Sequence, residues 1–251
     1  MKRIWLLLAA TLVIITICTP GCLSSPQDRD VLFQSSTISA LSEGAFDGDL
    51  TYKDLREHGD FGLGTFDNLN GEMIALEDEF YQIKADGKAY LADNSMETPF
   101  AVVTFFEPDK AVSLDKMLDY EQLKQHLDSM LPARDIFYAI KVEGAFNYIK
   151  ARSVSAQSKP FPSLAEALEG QTIFEFNDVT GTLVGFWCPT YVEGINVPGY
   201  HLHFITSDKK AGGHLLDCQT ESVKIEIDYT SEFFMVLLKG EKSYEPNAET
   251  K

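Results

Sequence analysis

Most of this chain alternates apolar and polar residues in short runs broken by Gly, Asn and Asp. A period of two puts one face of a run against a core and the other toward water, so the pattern predicts strands. Residues 31–40 are the first expected strand. Residues 72–76, 80–84 and 88–91 follow as an antiparallel meander, with Glu77-Asp78 and Asp86-Gly87 as its turns and Asn70-Gly71 as a tight turn ahead of it. Residues 100–106 are almost wholly apolar, as in a central strand. Residues 135–142 and 146–154 read as a long pair about Glu143-Gly144. Further strands are expected at 174–179, 182–187, 200–206, 214–218, 223–228 and 233–238.

Helical spacing is scarcer. Tyr120, Leu123, Leu127, Met130 and Leu131 share one face ahead of Pro132. Thr51 is placed to cap a helix running to His58, which Gly59 would stop. Ser163 and Glu166 form a capping box for a helix over 163–169, with Gly170 beyond it. Many strands, few short helices and frequent turns predict an α+β fold of mainly antiparallel or mixed sheets, barrel-like in part. No dinucleotide fingerprint, P-loop or internal repeat interrupts that reading.

At 251 residues and 45% apolar composition, the chain can build one large domain, divisible at about residue 170 into two subdomains. Its start reads differently. Lys2 and Arg3 precede an apolar stretch from Ile4 to Ile17, which is shorter than the roughly 20 residues a membrane helix needs. Gly21-Cys22 then resembles a lipoprotein cleavage site, although Thr19 departs from the usual Leu. The expectation is a signal peptide over 1–21, Cys22 as the first mature and lipid-carrying residue, a polar linker over 22–30, and a folded domain over 31–251 exported across the cytoplasmic membrane. An uncleaved anchor would place the domain on the same side.

The formal net charge is −17, and removing the leader takes away two positive charges and no acid. Such a surface argues against nucleic acid as a partner. Cys188 and Cys218 remain after the leader and Cys22. A disulfide between them and two buried free thiols both fit an exported chain.

Three of the five histidines fall within fourteen residues: His201, His203 and His214. On a strand, His201 and His203 leave the same face. A turn over 208–213 would return His214 beside them. Three imidazoles from adjacent strands leave coordination positions open, as in a catalytic rather than a structural Zn²⁺ site. His58 and His126 read as exposed and inert.

The string Gly194-Ile195-Asn196-Val197-Pro198-Gly199-Tyr200-His201-Leu202-His203-Phe204, followed by Gly212-Gly213-His214, resembles the acetolactate decarboxylases. Further matches run in order along 31–238: Ser36-Thr37 with Gly44; Gly62-Leu63-Gly64-Thr65-Phe66 with Gly71-Glu72-Met73; Lys150-Ala151-Arg152-Ser153-Val154; and Gly181-Thr182 with Gly185-Phe186. The resemblance implies a zinc-dependent carboxy-lyase that converts 2-acetolactate to acetoin and CO₂ through an enediolate chelated by the metal. It also implies a homodimer, no organic cofactor, and active-site roles for Glu72 and Arg152. A further Glu would come from the tail, where Glu241, Glu245 and Glu249 stand and Glu249 is the choice. Two other readings fit the histidines: an exported metal- or ligand-binding lipoprotein without activity, and a cupin-like metal oxidase or isomerase.

Overall fold

A computed structural model describes residues 30–237. The expected leader, Cys22, most of the linker, and Glu241, Glu245 and Glu249 lie outside the described residues. Fourteen strands follow in chain order: β1 (Val31–Ser35), β2 (Leu50–Thr51), β3 (Phe61–Thr65), β4 (Glu72–Leu76), β5 (Glu79–Ile83), β6 (Ala89–Leu91), β7 (Glu97–Thr98), β8 (Ala101–Thr104), β9 (Lys110–Leu114), β10 (Phe137–Ser153), β11 (Thr172–Cys188), β12 (Gly199–Thr206), β13 (Gly212–Thr230) and β14 (Glu232–Val236). The helices are α1 (Ile38–Ser42), α2 (Tyr52–Leu55), α3 (Tyr120–Asp128) and α4 (Leu164–Glu169). The expected α+β class, with mainly antiparallel sheets and few short helices, is the observed one.

One sheet has the order β14-β1-β8-β3-β4-β5-β6. The second has the order β10-β11-β12-β13-β9, and β10 also pairs with β13, so four of its strands close into a ring; β2 and β7 form a small two-stranded sheet apart from these. Both sheets take strands from either side of residue 170. Side-chain alternation explains how they pack. Leu32, Ile74 and Val102 of the first sheet meet Ala139, Val184, Phe186 and Ile205 of the second in a core between the sheets. Phe33, Met73, Ala75 and Val103 leave the opposite face and pack with Tyr52 and Leu55 of α2. The first sheet is thus covered on both sides, which is why β8 carries no polar face until Thr104. Leu202, Phe204, Phe146 and Leu215 fill the ring with Leu123 and Leu127 of α3.

Several expected boundaries are corrected. The strand at 31–40 stops at Ser35. Ser36 takes φ 63° and Thr37 caps α1 through a bond from the Ala40 N–H. The pair expected about Glu143-Gly144 is one seventeen-residue strand, β10. Gly144 lies inside it, opposite Gly181 of β11 and Val223 of β13, so the glycine marks a close approach between strands and not a turn. The expected breaks at 180–181 and 219–222 likewise lie inside β11 and β13. Gly212 and Gly213 belong to β13, leaving a shorter turn after β12.

The helix capped by Thr51 ends at Leu55, before His58. His58 is half-buried, its ring stacked 3.8 Å from Phe33, so it is not the exposed residue expected. His126 is also half-buried. The Ser163–Glu166 capping box is present, and α3 carries a second box from Asp119 and Gln122. Cys188 and Cys218 are free and buried in different cores, which excludes the disulfide alternative. Among the described residues no helix is long and apolar enough to cross a membrane.

Asp228 is buried near the end of β13 and accepts a bond of 3.2 Å from the Glu107 N–H. Burial pushes its carboxyl up to about 7, with Asp109, Asp30 and Glu107 adding repulsion against that bond. At low pH the folded and unfolded chains both hold the proton. Between the ordinary carboxyl value of about 4 and the folded value, only the unfolded chain has lost it, so stability falls as pH rises through that window. Asp228→Asn keeps the oxygen acceptor and removes the charge. Its melting temperature should exceed the parent's by a few degrees at pH 8, with the gap closing toward pH 4. A gap that does not vary with pH would refute this.

Candidate metal centre

Alternation places the three histidines. His201 and His203 share a face of β12 with Ile205, opposite Phe186 and Val184 of β11. Those residues belong to the core between the sheets, so the histidines point toward the first sheet. His214 lies directly across from His203, and Arg152 of β10 directly across from His214. Arg152, His214 and His203 thus form one row over three strands. Glu72 faces them from the start of β4, on the same side as Ile74.

Two glycines permit this approach. Gly213, at φ 150°, stands where a Cβ would lie 2.5 Å from the Arg152 carbonyl oxygen. Gly71, at φ 88°, stands where a Cβ would meet the Ile83 carbonyl. It sets the start of β4, and the Thr65 hydroxyl donates a 2.7 Å bond to the Gly71 carbonyl.

The ring nitrogens converge. His214 Nδ1 lies 3.2 Å from His201 Nε2 and 3.3 Å from His203 Nε2. Ligands about 2.0–2.1 Å from a tetrahedral Zn²⁺ lie roughly 3.3–3.4 Å apart, so the spacing suits one shared ion. Protonation points the same way. His203 Nδ1 lies 2.8 Å from the Met73 carbonyl and donates to it, which leaves its Nε2 as a bare lone pair. Burial lowers the pKa of all three rings, to about 3 for His201, and the Arg152 charge adds to the effect. The imidazoles are therefore neutral, the form that ligates a metal. His201 and His214 are half-buried, so the cluster is not sealed.

Beside it, Arg152 Nη1 lies 2.6 Å from Glu72 Oε1, with both side chains largely buried. Glu72 Oε2 is 3.6 Å from His203 Nε2. Burial raises the Glu72 pKa, and Arg152 opposes that rise through its charge and its hydrogen bond. The structure thus brings together five of the six expected site residues, and the sixth, Glu249, lies outside the described residues. The Met73 carbonyl was not expected. A backbone acceptor carries no side-chain signal, and its strand, β4, meets β12 only through the packing of one sheet on the other.

Comparisons with known proteins identify the family. The model of the family "Alpha-acetolactate decarboxylase" matches residues 32–248. The chain is 54% identical to an alpha-acetolactate decarboxylase of Methanosarcina mazei over 208 residues, 83% of this chain and 72% of the relative. It is 47% identical to that of Brevibacillus brevis over 214 residues, 85% and 75% of the two chains. The crystal structure of alpha-acetolactate decarboxylase from Bacillus subtilis strain 168 superposes with a TM-score of 0.83 at 39% identity, covering 84% of this chain and 90% of that one.

The Glu72–Arg152 pair yields a stability prediction. Removing one partner of a buried ion pair strands the other, at a cost of about 3–5 kcal/mol. Arg152→Met should destabilise the chain by that order in urea unfolding. Glu72→Gln with Arg152→Met should lose clearly less than the sum of the two single variants. Additivity within about 0.5 kcal/mol would show the two residues to be uncoupled.

Proposed function

The chain belongs to the alpha-acetolactate decarboxylase family, whose activity makes it a carboxy-lyase, and we propose that it forms acetoin and CO₂ from 2-acetolactate with Zn²⁺ held by His201, His203 and His214. The observation that carries the metal is the convergence of three neutral ring nitrogens at 3.2–3.3 Å spacing. Bound there, Zn²⁺ would supply Lewis-acid polarisation of the substrate's ketone.

The chain's own residues account for the rest. The substrate's C–C bond to its carboxylate breaks, the electron pair moves toward the neighbouring ketone oxygen, and CO₂ leaves an enediolate. Arg152 keeps its charge throughout. Its bond to Glu72 occupies one of five N–H donors, and others remain for the substrate's carboxylate and for the oxygen that gains charge. Glu72 sits beside both Arg152 and His203, and burial raises its pKa while the Arg152 charge opposes that rise, so the carboxyl is placed to take up a proton and pass it on. It is the group we assign to protonate the carbon that lost CO₂, from one side only, which sets the handedness of acetoin. The substrate's own β-carbonyl serves as electron sink, so no organic cofactor is required.

Export belongs to the same proposal. The charged start, the apolar stretch over 4–17 and Gly21-Cys22 support a leader and a lipid anchor at Cys22. A homodimer, and a tail carboxylate from Glu249 acting beside Glu72, rest on family resemblance.

Purified protein supplied with zinc should turn racemic acetolactate into acetoin in a colour assay. His203→Ala should lose both the bound metal and turnover. Arg152→Met should keep the metal and lose roughly 10²–10³-fold in kcat/KM. Turnover retained by metal-free His203→Ala would overturn the zinc reading.

A further inference from the structure

The three ligands are not held alike. His203 has its outer nitrogen fixed by the Met73 carbonyl. Among the described residues His201 has no such partner: its Nδ1 is buried and makes no hydrogen bond with them. A ligand without that outer contact depends on its strand for position. Five residues before it stands a buried polar lock. Gln34, in β1, and Asn196 are 0% and 2% exposed. Asn196 Nδ2 donates to Gln34 Oε1 at 2.7 Å. Gln34 Nε2 donates to the Ile195 and Ser36 carbonyls at 2.7 Å each. Asn196 Oδ1 accepts from the Val197 N–H at 2.6 Å. Both Nε2 protons meet carbonyl oxygens, so neither amide can flip without placing oxygen against oxygen.

Backbone bonds complete the junction, from the Ile38 N–H to the Ile195 carbonyl and from the Ser39 N–H to the Gly194 carbonyl. Beyond it lie only Val197 and Pro198 before β12 begins at Gly199, two residues ahead of His201. The opposite flank of Gln34 is Met235 of β14 in parallel register, so the lock ties the histidine-bearing segment to the first sheet. Glu72 comes from that same sheet.

We propose that Gln34 and Asn196 are positioning residues for His201, setting where β12 starts relative to Glu72 and so the geometry of the metal centre. This rests on the zinc reading above, and the test separates the two. Asn196→Ser keeps a hydroxyl for the Val197 N–H but is too short to reach Gln34. Gln34→Met keeps the volume and removes the amide. Each, as the full chain with zinc added, should bind zinc roughly 10–100-fold more weakly than the parent in competition with a coloured chelator at 25 °C. Ser163→Ala, which removes only the α4 cap, should lower the melting temperature and leave zinc affinity unchanged.

Variants that melt earlier but bind zinc within about twofold of the parent would reduce the lock to a packing feature and overturn the proposal. A parent chain that takes up no zinc would sink the zinc reading and this one with it. Should either variant be recovered unfolded, hydrogen exchange in the parent decides. Zinc must slow exchange at the Val197 amide, because coupling between metal and lock is reciprocal, and unchanged exchange there overturns the proposal.

Discussion

The bond between Glu72 and Arg152 crosses from one sheet to the other, at one end of a mainly apolar layer. A carboxylate in such a place would surrender its charge unless a cation stood against it, and a guanidinium cannot give up its proton at all. Each residue is tolerable only because the other is there, and they meet only when the two sheets are in register. The pair therefore specifies how the sheets sit on one another while fixing two polar groups beside the histidines. Such pairs add little net stability, since desolvation consumes most of the attraction. Their contribution here is to geometry. The apolar contacts between Leu32, Ile74, Val102 and Val184, Phe186, Ile205 supply the adhesion.

That division of labour explains why the candidate metal centre lies at the edge of the layer. In the middle, three imidazoles facing one another would be unpaired lone pairs with no access for substrate. At the margin, His201 and His214 stay half-exposed while His203 is buried and anchored. The cross-strand row from Arg152 through His214 to His203 lets one β-ring present a cation and two ligands along a single line. The first sheet then needs to add only Glu72 and one carbonyl. A site assembled this way is as rigid as the ladders beneath it, in keeping with the need to hold ligands within a fraction of an ångström.

Much of this was legible in the residues. Period two gave the fold class and put His201 and His203 on one face; the turn ahead of His214 brought the third ring back. Helix caps were readable because capping is local chemistry. What failed were the long strands. Gly144 and Gly181 read as turns because glycine tolerates both a reversal and a close crossing, and the sequence does not distinguish them. β10 bends without ending, at bulges near Ala145, Phe146 and Lys150. The union of Glu72 with Arg152 was out of reach by spacing, since 80 residues separate them. Only the resemblance marked them. Gln34 and Asn196 were hidden for another reason: amides in a strand and a loop suggest solvent, and only a tertiary partner 162 residues away makes them an interior pair.

That interior pair changes how the centre as a whole is understood. If the strands alone fixed the ligands, the segment before β12 could vary freely, provided it spanned the gap. Instead two glycines at positive φ, Gly194 within it and Gly199 at the first position of β12, stand on either side of a residue buried by its own hydrogen bonds. Loops usually keep their polar groups in water, because burying them demands a partner for every donor and acceptor. Here the donors and acceptors are matched between the end of β1, the segment before β12 and, through Met235, the last described strand. Three stretches far apart in sequence converge on one amide lock, five residues from His201, whose outer nitrogen has no hydrogen bond among the described residues. On the proposed reading, the candidate metal centre is held from two directions, by the Met73 carbonyl behind His203 and by the lock ahead of His201. Both supports originate in the first sheet, so the sheet that carries none of the three histidines would set where two of them stand.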